Sequence, residues 1–124
     1  VTLSLVDFLN ARLAEDEASA RAAEPGPWSS TARHDEGYVH DSDGSYLVYS
    51  EGAVDIPTAA HIARYDPARV LREIAAKRAI LELFAISNEE GFGGSEGWTL
   101  VRDAVRQIAA VYSDHPDYRE EWRP

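Results

Sequence analysis

At 124 residues, with 44% hydrophobic and 27% charged side chains, the chain is long enough for one domain with one modest core and has an ordinary globular balance. It contains no cysteine, which excludes disulfides, thiolate metal sites and thiol nucleophiles. Its net charge of −10 gives the wrong field for gripping phosphates, so direct nucleic-acid binding is not expected and basic partners are favoured.

The first stretch, residues 3 to 23, reads as a helix. Leu5, Phe8, Leu9 and Leu13 recur at helical spacing, and Ala14 and Ala18 extend the face. Ser4 with Asp7 three residues on resembles a capping box. Acids at Asp7, Glu15, Asp16 and Glu17 interrupt any apolar leader, so no signal peptide is expected. No apolar run reaches the roughly 18 residues that a membrane span needs, so the expected location is the cytoplasm, with no membrane partner. Glu15, Asp16 and Glu17 diverge around the helix axis and converge poorly on one ion; they read as a solvated face. A protein mimicking the charge of DNA would need a linear array of acids, which this sequence lacks.

Pro25-Gly26-Pro27-Trp28 stops the helix. Trp28 follows the bend as a core anchor pinning the first helix to a sheet, or else as one wall of a pocket. The period then changes. Strands are expected over Tyr38–Asp41 and Ser45–Ser50, joined by the turn-forming Asp41-Ser42-Asp43-Gly44. A third strand should begin near Trp28, and a stub should follow Glu51-Gly52. So small a meander must pack on a helix to be stable.

Asp55 to Asn88 carries the strongest helical pattern and two start signals. Asp55 caps a short helix with Pro57 in its opening turn. Asp66 caps a long one with Pro67 immediately after it. A break is therefore expected at Tyr65-Asp66. In the long helix Val70, Leu71, Ile74, Arg78, Leu81, Phe84 and Ala85 form a stripe that Ile80 and Leu83 widen. A stripe this broad implies two packing partners, and one of them could be a second copy of the chain. The pairs Arg69–Glu73 and Arg78–Glu82 have helical salt-bridge spacing. Asn88 to Gly97 reads as a glycine-rich connector holding Phe92, with no phosphate-loop pattern. Residues 98 to 112 form the last helix, striped by Val101, Val105, Ile108 and Tyr112, and complete a helical hairpin. The polar tail carries Tyr118 and Trp122, a reason to expect it to dock.

Chemistry-bearing constellations are sparse. His34, His40, His61 and His115 form no local ligand pair, so no metal or cofactor is expected. None of the serines sits in a nucleophile-elbow context. The residues with recognition chemistry are Trp28, His61, Arg69, Arg72, His115 and Tyr118: guanidinium forks match anions, and aromatic planes stack bases. They are candidates for a site that holds a small anionic or nucleotide-like ligand. The same residues would equally serve as a staple fixing the tail to the long helix.

Several segments together carry a family resemblance: the pattern L-x-x-F-L-x-A-R-L-x-E-D-E from Leu5, P-G-P-W at Pro25, A-A-H-I-A-R-Y-D-P-A-R-V-L-R-E-I-x-A-K-R from Ala59, and Y-S-D-H-P-D-Y-R-E-E-W-R-P from Tyr112. On these the chain resembles a family of small actinobacterial and actinophage proteins known as a domain of unknown function. The resemblance implies a small cytoplasmic phage- or prophage-associated protein, and it supplies no activity or catalytic residue. The expectation is thus an α+β fold in a single domain spanning 1–124. The expected role is an accessory or regulatory module, without catalytic residues, that binds a host or phage protein. An anion-binding protein is the alternative, and a metal-dependent hydrolase the third.

Overall fold

The computed structural model of the chain describes residues 4–48, 54–91 and 93–124. In chain order the elements are helix α1 (Leu5–Ala22), strands β1 (Ser29–Arg33), β2 (Glu36–His40) and β3 (Tyr46–Val48), and helices α2 (Ile56–Arg64), α3 (Pro67–Glu89) and α4 (Glu96–Ala110). A single 3-10 turn, Glu120–Trp122, follows. The fold class is α+β, as the periodicities imply. The chain forms two compact units, residues 16–73 and residues 1–15 with 74–124. Helix α1 passes from the second into the first, and α3 passes back.

In the unit of residues 16–73 the sheet is an antiparallel meander in the order β1-β2-β3. The β1–β2 register runs from Ser29 opposite His40 to Arg33 opposite Glu36. That leaves a two-residue turn, His34-Asp35, with both residues at positive φ, 51° and 64°. Both central residues of a type I′ hairpin turn need this conformation, which suits strand twist. The expected Asp41–Gly44 turn is present: Asp41 Oδ1 accepts the N–H groups of Asp43 and Ser45, each at 2.9 Å, and Gly44 takes φ 83°. The predicted continuation of β3 through Tyr49 and Ser50 and the placement of Phe92 lie outside the described residues; of the stub expected after Gly52, Val54 forms an isolated antiparallel bridge with Gly37.

Helix α2 packs across the meander. Val39, Ala59 and Ala63 form a buried cluster, against which Trp28, Leu47, Val48, Val54 and Ile62 pack. Small residues make this approach close. A Cβ built on Gly37 would lie 2.6 Å from the Ala59 Cβ and 2.7 Å from the Asp55 carbonyl oxygen. Gly37 also donates its N–H to the Val54 carbonyl at 2.7 Å. The helix start is therefore seated directly on β2.

In the other unit Phe8, Leu9 and Leu13 of α1 are buried, as are Ile74, Leu81 and Phe84 of α3 and Val105 and Ala109 of α4. Helices α3 and α4 meet where the Phe84 and Trp98 rings lie 5.9 Å apart. The indole N–H of Trp98 donates to the Asn88 side chain. Helix α4 starts at Glu96, two residues earlier than the apolar pattern suggested, because the Ser95 hydroxyl accepts the Trp98 N–H at 3.1 Å and caps it. The tail docks as expected, with Trp122 only 6% exposed. The expectation that Ala14 and Ala18 extend the apolar face of α1 is corrected. Ala14 and Ala18 are exposed, and the charged Arg12 is buried beside Leu13 in their stead.

Candidate functional site

Recognition chemistry in the unit of residues 16–73 gathers at the α2–α3 junction. Asp55 Oδ1 accepts the Thr58 N–H at 2.7 Å, starting α2. Hydrogen bonds from Thr58, side chain first and backbone second, hold the Asp55 carboxyl below its ordinary pKa. Because α2 buries Ala59 and Ala63, it turns Pro57, Ala60, His61 and Arg64 outward. Tyr65 ends the helix. Its N–H donates to the His61 carbonyl at 3.3 Å.

Asp66 then begins α3. It is 7% exposed, and its two carboxylate oxygens are divided between two jobs. Oδ1 accepts the Arg69 N–H at 2.8 Å, which caps α3, and Oδ2 accepts the Trp28 N–H at 2.9 Å, which ties down the Pro25–Trp28 turn. Within that turn the Gly26–Pro27 peptide is cis. The caps at Asp55 and Asp66 set the helix ends, and the helix ends place the side chains. The His61 ring lies 4.7 Å from the Tyr65 ring, and the Arg69 guanidinium sits 4.3 Å above Tyr65. The Arg69 Nε donates to Glu73 at 2.9 Å, and this bond raises the Arg69 pKa. Pro57, Ala60, His61, Arg64 and Tyr65 line an open pocket of about 540 Å3. Arg72 is exposed and makes no ion pair among the described residues.

Of the sequence candidates, His61 and Arg69 are thus brought together around Tyr65, with Arg72 a turn beyond Arg69. Trp28 packs against the Val39–Ala59–Ala63 cluster and donates its indole N–H to the Glu24 carbonyl at 3.0 Å. Arg64, a polar residue of the family motif, was not placed among the site candidates, and Tyr65 was missed. The signal was present in the spacing His61-x3-Tyr65-x3-Arg69, which puts three stackable groups in series.

His115 and Tyr118 belong to the other unit, where they help to wall in Phe8. The Phe8 ring centroid lies 5.0 Å from Trp122, 5.7 Å from His115, 6.0 Å from Tyr118 and 6.3 Å from Tyr112. One turn along α1, Arg12 threads into the same cluster, its guanidinium 5.2 Å from the Phe8 centroid. It donates to His115 Nδ1 at 3.0 Å and to Glu15 at 2.8 Å. The Asp117 N–H donates to that same imidazole nitrogen at 3.1 Å. That nitrogen therefore serves as the acceptor for both donors. This arrangement is chemically a clamp: it fixes the Ser113–Tyr118 turns to α1.

A third feature is an uncovered face. Along α3, Ile80 is 37% exposed, Leu83 59% and Ile86 42%. Their three-residue spacing lays them along an arc of about 120°, turned away from the buried Ile74, Leu81 and Phe84. Exposed acids lie along one side of the row, beside Ile86, at Glu82 and Glu89, and just beyond the helix end at Glu90. Among the described residues, no group of three or more histidines and acids gathers closely enough to hold a metal ion. No helix among them is long and apolar enough to cross a membrane.

Comparison with protein families matches residues 2–124 to a family of unknown function, DUF6221, and the chain belongs to that family. No curated protein and no solved structure matches it.

Proposed function

From this membership as premise, we propose that the protein is a non-catalytic accessory module that docks a basic amphipathic helix of another protein on α3. The observation that carries the reading is the exposed row Ile80, Leu83 and Ile86 with acids along one border. An apolar stripe rimmed by polar residues is the surface that helix-in-groove recognition uses. The flanking acids and the net charge of −10 favour a partner whose stripe is bordered by lysine or arginine. They oppose pairing with a second, equally acidic copy.

A leucine-striped, lysine-flanked helical peptide is the probe, followed by fluorescence anisotropy. Saturable binding that Leu83→Asp weakens at least about tenfold supports docking. The substitution adds negative charge, so a purely electrostatic association would tighten instead, and that result would reject the reading. Cytoplasmic location and phage or prophage origin are part of the same proposal.

A second reading rests on the His61–Tyr65–Arg69 stack and the pocket beside it. Arg64, Arg72 and the two adjacent rings, tilted 43° to one another, suit a small anionic or nucleotide-like ligand. A nucleotide present at a hundred times its dissociation constant should add about 2.7 kcal/mol of apparent stability. Arg64→Ala and Arg72→Ala should each reduce that gain. No shift with any nucleotide in a thermal-melt panel would remove this reading.

A further inference from the structure

Helix α4 carries Trp98, Arg102 and Arg106 at successive four-residue spacings, which puts one indole and two guanidinium groups on a single face. Together with Leu5, Phe84, Glu121 and Trp122 they line an open pocket of about 310 Å3. The two arginines are not equivalent. Arg102 lies 5.3 Å over the Trp98 ring and is paired with Asp103 at 3.0 Å. Arg106 makes no ion pair among the described residues, and its Nε is buried with no hydrogen-bond partner. A guanidinium that is half withdrawn from water without an acceptor is a costly arrangement, and an anion in the pocket would relieve it.

We propose that this pocket binds a one- or two-ring aromatic carboxylate, with Arg106 as its counter-ion. Each part of that ligand follows from the lining. Only one guanidinium lacks a partner, which fits a single carboxylate. The Glu121 carboxylate on the rim opposes a multiply charged anion. The walls are the rings of Phe84, Trp98 and Trp122, which favour an aromatic plane over a branched chain. Ligand pockets begin at about 300 Å3, so this one is limited to a small ligand. Trp98 is already oriented by Phe84 and Asn88, so the ring platform is in place before a ligand arrives. The site is separate from the α3 stripe and stands or falls without it.

The test is calorimetric titration of the protein with naphthoate and with its neutral isostere naphthamide. Naphthoate should saturate a single site, and naphthamide should bind at least about tenfold more weakly, because the carboxylate bond to Arg106 is charge-assisted. Arg106→Gln should bring naphthoate down to the naphthamide level. Glu121→Gln, at an exposed rim position where it gives up a 3.4 Å pair with Arg119, should tighten naphthoate and leave naphthamide unchanged. Equal affinity for acid and amide would overturn the assignment. So would an unsaturable titration, or Glu121→Gln without effect on naphthoate.

Discussion

The two compact units are held by different chemistry. The unit of residues 16–73 is built on small residues: Gly37 against Ala59, Gly26 against Ala68, and a core of Val39, Ala59 and Ala63. Its backbone elements touch nearly directly, and carboxylate caps at Asp55 and Asp66 set the helix ends. The unit of residues 1–15 and 74–124 is built on rings, with Phe8 enclosed by Tyr112, His115, Tyr118 and Trp122. Close backbone packing tolerates no added atom, while a ring cluster tolerates no lost one. The two units should therefore fail under opposite kinds of substitution.

The largest effect is expected at Phe8. Truncating it to alanine removes the common partner of four rings and should cost about 3–5 kcal/mol in urea denaturation. The loss should concentrate in the amide exchange of α1, α4 and the tail. Opposite in kind is Gly37→Ala, which adds one methyl where 2.6 Å is available to Ala59. It should cost about 1–3 kcal/mol, read in the same assay, with the faster exchange now in β2 and α2. If Gly37→Ala proves neutral while Phe8→Ala does not, the close approach of α2 to β2 is wrong.

Asp66→Ala should have a smaller effect, about 1–2 kcal/mol, by uncapping α3 and leaving the Trp28 N–H without its acceptor. The Trp28 fluorescence should shift with it. The smallest effect is the titration of Asp55. Its pKa is lower in the fold than the ordinary 3.8. Its contribution is thus fully present above the unfolded value and is lost as the pH falls through the folded one. The acid limb of the melting-temperature profile should flatten slightly in Asp55→Asn.

Much of the small-residue unit was legible because its determinants are local. Asp55 with Pro57, Asp66 with Pro67, and Asp41-Ser42-Asp43-Gly44 each announce an element within four residues. The His34-Asp35 turn was not, because β1 is exposed along its whole length and shows no alternation. The ring-built unit was legible only in outline. Phe8 and Trp122 are separated by most of the chain, and no periodicity links them; the aromatic content of the tail foretold docking but not its partner. Arg12 was hidden by its own charge, since burial depends on His115 and Glu15 arriving to satisfy it. The division into two units has no mark in composition, because α1 and α3 run through it without interruption. At the candidate site, His61 and Arg69 were found by chemistry, whereas Arg64 and Arg106 needed the helix faces to be fixed first.

The proposed docking reading makes the ring-built unit the working surface. The most direct measurement is methyl-detected NMR of the protein titrated with the lysine-flanked helical peptide. The account predicts shifts at the Ile80, Leu83 and Ile86 methyls, with Val39 and Val48 unmoved. Shifts confined to the surroundings of His61 and Tyr65 would contradict it and move recognition to the other unit.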